Sequence, residues 1–326
     1  MAALTLAIPS KGRLKEGVEE YLGDAGATLK QTSGDRGYRA TLSGFPDIEV
    51  MLLSASEIAA SLIAGDVHFG VSGEDLLREQ APELESRVHL IRPLGLGFAN
   101  VVVAVPRYWI DVATMADLDD VCAAFAQKHR RRLRVATKYI QLTREYFAKM
   151  GISDYRVVES AGATEAAPAA GTAEIIVDIT TTGSTLDANG LKVLDDGVIL
   201  KSQAQLAASL GADWTPEARA AAASLLDRLG ARDRAKSSQI LRVRLDKNAD
   251  AIIAALARDM GASVLSKPTD ANGEYALLCP RPKLMEAVAA LRAQGCDSPA
   301  TTQDADYVFD TANPLYAALS AALPQP

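Results

Sequence analysis

Two hydrophobic patterns alternate along the first two thirds of this 326-residue chain. Residues 4–8 form an apolar run typical of a buried strand, and Leu14, Val18 and Leu22 then recur at the spacing of one helical face. The alternation predicts strands at 4–8, 48–53, 67–71, 98–105, 134–137, 155–159 and 175–179, and helices at 14–22, 54–64, 114–126, 142–150 and 163–170. Ser56 is expected to cap the second helix. This order favours two α/β units, each with a mostly parallel sheet, that enclose a cleft.

The C-terminal part of the chain has a different order. An alanine-rich stretch at 216–229 predicts a helix, and the polar residues 228–238 predict a linker. The pattern beyond it predicts strands at 240–245, 263–266, 275–278 and 307–309, helices at 250–260 and 283–293, and a turn at 269–274. The order β-α-β-β-α-β is the ferredoxin-like plan. Many ligand-sensing modules use that plan, so a regulatory role here is an analogy from fold.

Four polar segments each follow a predicted strand. They are PSKGR, SGEDL, ATKY and DITTTGST, which begin at residues 9, 72, 136 and 178. Ligands of open parallel sheets bind beyond the carboxyl ends of the strands. We therefore expect the four segments to face one cleft.

The segment at 175–191 carries the strongest chemical signal. Its strand of β-branched residues is interrupted by Asp178, and the hydroxyl-rich turn that follows consists of Thr180, Thr181, Thr182, Gly183, Ser184 and Thr185. Hydroxyls and backbone N–H groups of such a turn hold phosphate oxygens without much positive charge. A carboxylate repels phosphate, so Asp178 suits sugar hydroxyls or a metal. The segment predicts a site for a phosphorylated sugar; an ordinary helix cap after a strand is the alternative.

Two cations flank a glycine after the first strand. Lys11 and Arg13 lie on either side of Gly12 at a strand-to-helix turn. Cations are unfavourable at a helix N-terminus unless an anion offsets them. The pattern therefore favours contact with ligand phosphates over a solvated helix start.

Further candidates lie in the second α/β unit. Thr137, Lys138 and Tyr139 follow a predicted strand; Lys138 suits a phosphate, and Tyr139 suits stacking on a base. Glu165 is suited to magnesium or ribose, although a solvated glutamate at a helix start is the more common role.

Composition excludes several functional classes. With 48% hydrophobic residues, 23% charged residues and a formal net charge of −7, the chain is globular and ill suited to nucleic acid or an anionic membrane. The sequence has no Walker loop, nucleophile elbow, signal peptide or long apolar span. Cys122, Cys279 and Cys296 lack metal-site spacing and are expected to be buried thiols in a reducing cytoplasm. His68, His89 and His129 are isolated from one another in the sequence, and none is expected to be a metal ligand.

Together these motifs resemble those of the ATP phosphoribosyltransferases, the enzymes of the first step of histidine biosynthesis. The most specific match is VDITTTGSTLDANGL at 177–191, which is similar to the phosphoribosyl pyrophosphate loop of that family, preceded by GATEAAP at 162–168. The resemblance extends, in the order of the family, to SKGRL at 10–14, GVSGEDLLRE at 70–79 and VATKYIQLTREYF at 135–147.

The resemblance implies an α/β fold with a two-lobed catalytic core of the periplasmic-binding-protein type (type II). In longer members a C-terminal ferredoxin-like (βαββαβ) domain that senses histidine follows. On this basis lobe I is expected at 1–100 plus 186–215, lobe II with the phosphoribosyl pyrophosphate loop at 101–185, a helix and linker at 216–238, and the regulatory domain at 239–326.

The resemblance also implies a reaction. N1 of the ATP adenine attacks C1 of phosphoribosyl pyrophosphate and releases pyrophosphate with inversion, without a covalent enzyme residue and with Mg2+ as cofactor. The expected phosphoribosyl pyrophosphate contacts are Asp178, Thr180, Thr181, Thr182, Gly183, Ser184, Thr185 and Glu165, with Glu165 and Asp178 also near the metal. The expected ATP contacts are Lys11, Gly12, Arg13, Gly73, Glu74, Asp75, Thr137, Lys138 and Tyr139. Lys11 and Arg13 are further expected to stabilise the charge of the leaving pyrophosphate.

Two residues depart from the family pattern. His68 stands where an acid is usual, and Ser54 stands where a basic residue is common, and both bear on the nucleotide contacts. The expected partners are ATP, phosphoribosyl pyrophosphate, a histidine inhibitor, further copies of the chain in a dimer or hexamer built through the last domain, and a regulatory subunit of the kind that short members need. The alternative function is a non-catalytic cytoplasmic two-lobed ligand-binding or sensor protein.

Overall fold

The computed structural model describes residues 3–31, 38–160, 162–245, 248–268, 274–296 and 298–324. The chain divides into two compact units, Met1–Ala221 with Leu319–Pro326, and Ala222–Ala318. The first unit contains two sheets, which define lobe I and lobe II.

Lobe I is built on a seven-stranded sheet. Its strands are β1 Leu4–Pro9, β2 Leu29–Gln31, β3 Arg39–Leu42, β4 Phe45–Leu53, β5 Phe69–Gly73, β6 Val88–Pro93 and β12 Ala204–Ser209, and its helices are α1 Gly12–Asp24, α2 Ala55–Ala64 and α3 Glu74–Gln80. The strand order is β2-β3-β4-β1-β5-β12-β6. Because β1 is parallel to both β4 and β5, the segments that follow these three strands meet at one edge of the sheet.

Helix α2 is capped by Ser54, and the prediction of Ser56 as its cap is wrong. The Glu57 amide donates to Ser54 Oγ at 3.3 Å, and the Ser54 amide donates to Glu57 Oε2 at 2.8 Å. This reciprocal capping box needs an acid three residues after the cap, which Ser54 has in Glu57. Ser54 therefore ends a strand and starts a helix.

Lobe II is built on a five-stranded sheet of order β11-β7-β10-β8-β9. Its elements are β7 Ala99–Pro106, α4 Met115–His129, β8 Leu133–Thr137, α5 Ile140–Lys149, β9 Tyr155–Glu159, β10 Ile175–Thr180, α6 Ser184–Ala188 and β11 Leu191–Ser202. Strands β8, β9 and β10 are parallel, so their carboxyl ends share one edge. The helix predicted at 163–170 is wrong: only a single 3-10 turn forms, over Thr164–Ala166.

The chain returns to lobe I later than the sequence predicts. Residues 186–215 were expected in lobe I, but β11 pairs antiparallel with β7 in lobe II, and only β12 lies in the lobe I sheet. An apolar strand can pair with the sheet of either lobe, so the composition of residues 186–215 does not indicate which lobe they join. The chain crosses between the lobes twice, between β6 and β7 and between β11 and β12, and we call these the crossing segments. They are hydrogen-bonded to each other: the Gly95 amide donates to Gln203 Oε1 at 3.1 Å, and the Ala204 amide donates to the Leu96 carbonyl at 2.9 Å.

A half-buried ion pair fixes the amino end of β10 to β8. The carboxylate of Glu174 accepts from the Arg134 amide and Nη2, each at 2.7 Å, and from Arg131 Nη2 at 3.0 Å. Burial alone raises the pKa of Glu174, but the bonds from Arg134 and Arg131 outweigh it and lower the pKa to about 2. The stabilisation is therefore complete above the ordinary pKa of 4.5 and is lost as the pH falls toward 2.

Replacing Glu174 with glutamine is expected to lower the free energy of unfolding by about 3 kcal/mol at pH 7 and by progressively less below pH 4.5. Urea unfolding at pH 7 and at pH 3 measures this difference. Glu145→Gln, which removes an exposed carboxylate of the same lobe, is the control and should be near neutral at both pH values. An equal loss for Glu174→Gln at both pH values would show that ionisation of this carboxylate is not the source.

The second unit contains a ferredoxin-like domain, as predicted. Its elements are β13 Ser238–Val243, α8 Ala249–Met260, β14 Ser263–Ser266, β15 Tyr275–Pro280, α9 Leu284–Ala293 and β16 Thr301–Gln303, preceded by α7 Pro216–Ser237 and followed by α10 Pro314–Ala322. The sheet order is β14-β15-β13-β16, and every neighbouring pair is antiparallel. One face of this sheet packs on α8 and α9 through Leu241, Leu256, Leu277 and Leu291.

The linker, the last strand and one turn that the sequence predicts in this region can be compared with the structure. The linker predicted at 228–238 is wrong, because α7 continues to Ser237. The last strand is β16 and not 307–309, where the rings of Tyr307 and Phe309 stack at 5.9 Å and the Val308 amide donates to the Ala231 carbonyl of α7. The predicted turn at 269–274 falls on residues 269–273, which lie outside the described part of the chain.

Candidate active site

The hydroxyl-rich turn follows β10 in the middle of the lobe II sheet. The Gly183 amide donates to Thr180 Oγ1 at 2.8 Å, which closes the turn, and Gly183 has a φ of +80°, a conformation that suits glycine. The hydroxyls of Thr182 and Ser184 lie 3.0 Å apart, and both side chains are exposed, as is Thr185. The turn therefore uses one hydroxyl for its own shape and presents others to solvent.

The same turn is anchored to the crossing segment between the lobes. Thr181 Oγ1 donates to the Phe98 carbonyl at 2.9 Å. Phe98 directly precedes β7, so the turn is fixed next to the point where the chain leaves lobe I. A ligand on the turn consequently lies beside the cleft.

Asp178 is half-buried on the last part of β10. Its Oδ1 accepts from the Ile179 amide at 2.8 Å. Burial is the main cause that raises the pKa of Asp178, and the nearby charge of Glu165 raises it further, while the Ile179 amide and the charge of Lys138 lower it. The carboxylate has unused acceptor capacity, which suits hydroxyl donors of a bound sugar.

Three predicted residues from different strands are brought together here. Lys138 follows β8, Glu165 follows β9, and Asp178 lies on β10, and the charges of Lys138 and Glu165 both act on Asp178. The parallel direction of the three strands places their carboxyl ends side by side. This juxtaposition of one cation and two carboxylates lies at the same edge as the hydroxyl-rich turn.

Lys11, Gly12 and Arg13 form the corresponding turn in lobe I. All three are exposed, and Gly12 has a φ of +77° with open space around it. Helix α1 has no acidic residue in its first turn, and Lys11 makes no capping bond with its side chain. The helix start therefore carries two cations that no first-turn acid offsets, which favours an anionic ligand.

In the GED sequence after β5, both carboxylates accept hydrogen bonds from other residues of the protein. Asp75 is only 5% exposed; its Oδ1 accepts from Ser202 Oγ at 2.8 Å and its Oδ2 from Tyr139 Oη at 2.7 Å. A Cβ on Gly73 would lie 2.3 Å from Asp75 Oδ1, so any side chain there would displace the Asp75 carboxylate. Glu74 accepts from Arg78 Nε at 2.8 Å and from Gln205 Nε2 at 2.9 Å. Both carboxylates are satisfied by the protein.

Glu79, one helical turn after Asp75, also reaches lobe II. Its carboxylate accepts from the amides of Gln141 and Leu142, at 3.0 Å and 3.1 Å, and so caps the amino end of α5. We name Asp75, Glu79, Tyr139 and Ser202 the interlobe clasp, because α3 belongs to lobe I while Tyr139 and Ser202 belong to lobe II.

Several expected nucleotide contacts do not fit this arrangement. Tyr139 is completely buried, so its ring has no face on which a base can stack; burial and the charge of Asp75 raise the pKa of its hydroxyl. Thr137 is also buried, and its Oγ1 accepts from the Tyr139 amide at 2.8 Å. The side chains of Asp75, Thr137 and Tyr139 are therefore reassigned from the nucleotide to contacts within the protein, whereas Glu74 is only half-buried and its nucleotide contact stays a prediction.

His68 holds lobe I together. Its Nδ1 lies 3.0 Å from Thr5 Oγ1, its Nε2 lies 2.9 Å from the Asp213 carbonyl, and its ring meets Trp214 edge-on at 5.1 Å. The departure from the family pattern at this position is thus accommodated by packing and hydrogen bonds.

Sequence reasoning missed Glu79, Ser202 and Gln203. Glu79 lies within a recognised motif and four residues after Asp75, so helical spacing places both on one face and could have identified it. Ser202 and Gln203 are distant in sequence from their partners, and no local pattern marks them.

Comparison with known proteins decides the family. The sequence profile described as ATP phosphoribosyltransferase matches residues 54–231. An ATP phosphoribosyltransferase of Rhodopseudomonas palustris is 53% identical over 325 residues, which cover 99% of both chains. The chain belongs to the ATP phosphoribosyltransferase family. An Afipia carboxidovorans ATP phosphoribosyltransferase is 52% identical over 318 residues, 98% of each chain.

A solved structure supports the same assignment. The ATP phosphoribosyl transferase (HisG:HisZ) complex from Thermotoga maritima contains a chain that is 25% identical, with a TM-score of 0.52, over 69% of the present chain and 95% of that one. The activity of the present chain is ATP phosphoribosyl transfer, a pentosyl transfer in histidine biosynthesis. The alternative of a non-catalytic binding protein is not supported.

Within the described ranges, no helix is long and apolar enough to cross a bilayer.

Proposed function

We propose that the turn at residues 180–185 holds the 5-phosphate of phosphoribosyl pyrophosphate and that Asp178 accepts hydrogen bonds from its ribose hydroxyls. The observation that carries this proposal is an exposed turn of hydroxyls directly beside a half-buried carboxylate. Thr182, Ser184 and Thr185 supply hydroxyls to the phosphate, while Thr180 and Thr181 keep the shape and position of the turn. Asp178 is suited to ribose because a carboxylate accepts from hydroxyls and repels phosphate.

ATP is proposed to enter from the side of Lys11, Gly12 and Arg13. The two cations and the open glycine turn suit the phosphates of ATP or the leaving pyrophosphate. Lys138 supplies a third cation from lobe II. Gly73 supports this region indirectly, since it leaves room for the Asp75 carboxylate.

The reaction then needs alignment more than covalent participation. The bond from adenine N1 to the ribose C1 forms as the bond from C1 to the pyrophosphate oxygen breaks, and the leaving oxygen takes the electron pair. Holding two reactants in this geometry can lower a barrier by about 7 to 11 kcal/mol in favourable cases. Lys11 and Arg13 stabilise the charge that develops on pyrophosphate.

We propose Mg2+ as the divalent metal of the reaction. The described residues contain no group of three or more His, Cys, Asp or Glu side chains arranged to hold an ion. Mg2+ commonly binds through one or two carboxylates plus substrate phosphates, and Glu165 and Asp178 are two such carboxylates. The residues therefore fit a metal that arrives with the substrate, where it would neutralise pyrophosphate charge.

The direct test is an assay with purified protein, ATP, phosphoribosyl pyrophosphate and Mg2+, followed by the ultraviolet absorbance of phosphoribosyl-ATP. Turnover is expected in the complete mixture, and chelation of the metal with EDTA is expected to abolish it until Mg2+ is restored. Activity that survives EDTA contradicts the metal proposal. A complete mixture that stays inactive, with or without an added regulatory subunit, contradicts the substrate proposal.

We propose further that this cytoplasmic enzyme forms a homo-oligomer, a dimer or hexamer, through its ferredoxin-like domain, and that histidine inhibits it there. The support is the fold of the second unit, which is a common plan of ligand-sensing modules. Light scattering of the full chain measures the assembly, and a monomer at working concentrations contradicts it. Turnover with and without histidine tests the inhibition.

A further inference from the structure

A second polar concavity lies on lobe II, at the opposite ends of the strands from the proposed substrate site. It has a volume of about 580 Å3 and is lined by Arg132, Arg144, Ile152, Ser153, Tyr155, Arg156 and Val157. Arg132 directly precedes β8, and residues 152–155 lead into β9. Lys138 and Glu165 instead follow the carboxyl ends of these strands. The parallel sheet therefore separates this concavity, which we call the arginine pocket, from the active site.

The arginine pocket carries positive charge that is only weakly paired within the described residues. Arg144 and Arg156 form no ion pair or hydrogen bond with another residue in the described part of the chain. Arg132 has one acidic neighbour, Asp154, at 3.9 Å, and both side chains are largely exposed, so the pair is weak. Among the residues that the structure describes, no carboxylate lines the pocket. Three guanidinium groups around one concavity repel each other unless an anion joins them.

The other polar groups in the lining can donate hydrogen bonds. The Tyr155 ring is fixed against Phe147, with ring centroids 4.6 Å apart, and its hydroxyl has no hydrogen-bond partner among the described residues. Arg144 and Tyr155 line the same concavity; burial raises the pKa of this hydroxyl, and the charge of Arg144 lowers it. Ser153 adds a second hydroxyl. The lining thus combines three cations with two hydroxyls.

The basic sequence around the pocket does not act as one solvated surface. Arg131, next to Arg132, binds Glu174 at 3.0 Å and lies over the Phe125 ring at 4.8 Å. Arg132 instead lies in the pocket with two arginines from α5 and β9, which are distant in sequence. The fold, and not a local charge run, therefore gathers these cations, in a chain whose net charge is −7.

We infer that the arginine pocket binds the dianionic phosphate group of a small metabolite, at a site separate from the reaction. Guanidinium groups pair with phosphate oxygens through two parallel N–H bonds, and serine and tyrosine hydroxyls can bond the remaining oxygens. The volume exceeds that of one phosphate, so there is room for a further small group on the same ligand. This inference does not depend on the substrate arrangement proposed above.

The test is isothermal titration of the full-length protein with inorganic phosphate at constant ionic strength and without substrates, because the phosphates of phosphoribosyl pyrophosphate or ATP would compete for the arginine pocket. The unsubstituted protein is expected to bind one further phosphate per chain in addition to phosphate at the substrate site, and R144Q with R156Q is expected to weaken the binding of that further phosphate at least about tenfold. The charge-matched control is R87Q with K30Q, which removes two exposed cations of lobe I. It is expected to bind phosphate normally.

Equal weakening in both double variants would overturn the inference, since it would indicate general charge attraction. Absence of the further phosphate from the unsubstituted protein would overturn it as well. Each variant should retain its turnover with ATP and phosphoribosyl pyrophosphate, which shows that it is folded and that the active site is intact. A crystal soaked with tungstate is expected to show an anomalous peak between Arg144 and Arg156, and a peak only at the 180–185 turn would contradict the site.

Discussion

Replacement of Asp178 with asparagine is expected to lower kcat/KM for phosphoribosyl pyrophosphate by about 100-fold or more, because an amide is a weaker acceptor for ribose hydroxyls and carries no charge for the metal. Asparagine keeps the side-chain oxygen that accepts from the Ile179 amide, so β10 should remain intact. The matched control is Asp195→Asn, which changes an exposed carboxylate of β11 in the same lobe. Steady-state kinetics with each substrate varied separately measure the effect.

Substitution within the 180–185 turn should also weaken the binding of phosphoribosyl pyrophosphate. Thr182→Ala removes an exposed hydroxyl of the turn and is expected to raise KM for phosphoribosyl pyrophosphate about tenfold, consistent with one lost hydrogen bond to a charged group. The double variant Asp178→Ala with Thr182→Ala should lose both affinity and turnover. If that double variant kept wild-type affinity and turnover, the assignment of this site would be wrong.

Loss of the interlobe clasp is the second large effect that we expect. Replacing Asp75 with alanine leaves the hydroxyls of Tyr139 and Ser202 without their acceptor in a buried place. The expected cost is about 2 to 4 kcal/mol in the free energy of unfolding, the usual range for buried polar groups that lose a charged partner. Tyr139→Phe should cost about 1 to 3 kcal/mol, because it deprives the buried carboxylate of one donor. Urea unfolding of the full chain measures both.

A double-mutant cycle separates the clasp from general damage. Asp75→Ala and Tyr139→Phe together should cost less than the sum of the single changes, with a coupling of about 1 to 3 kcal/mol. Tyr146→Phe, on helix α5 that directly follows Tyr139, is the matched control: its hydroxyl donates to the Asp196 carbonyl nearer the surface, and its loss should cost less than about 1 kcal/mol. Additive costs for Asp75 and Tyr139 would contradict the clasp.

Sequence patterns predicted most elements of both lobes because their strands are apolar and β-branched and their helices have a clear apolar face. The limits of lobe I were harder to predict, because β11 and β12 are consecutive and strand-like, yet they join different sheets. Only tertiary pairing distinguishes them. In the last domain, Tyr307 and Phe309 gave a strand signal through aromatic character, whereas the strand that forms, β16, is polar and exposed.

In the candidate site too, residues that act within one segment were predictable from the sequence, and contacts between distant segments were not. The turn at 180–185 and Asp178 follow from residue types at the end of one strand, and the charges of Lys138 and Glu165 act on Asp178. The prediction failed where a polar residue was satisfied by a distant partner. Asp75 and Tyr139 are 64 residues apart, and no local pattern indicates that the Tyr139 hydroxyl donates a hydrogen bond to the Asp75 carboxylate. Motif residues near a cleft can therefore hold the lobes and need not touch the ligand.

A crystal structure of the enzyme with phosphoribosyl pyrophosphate and Mg2+ would show whether the 180–185 turn and Asp178 hold the sugar phosphate. We expect phosphate density against the hydroxyls of Thr182, Ser184 and Thr185, with the ribose hydroxyls within hydrogen-bonding distance of Asp178. Density for the sugar phosphate at another place in the molecule, with this turn empty, would contradict this assignment.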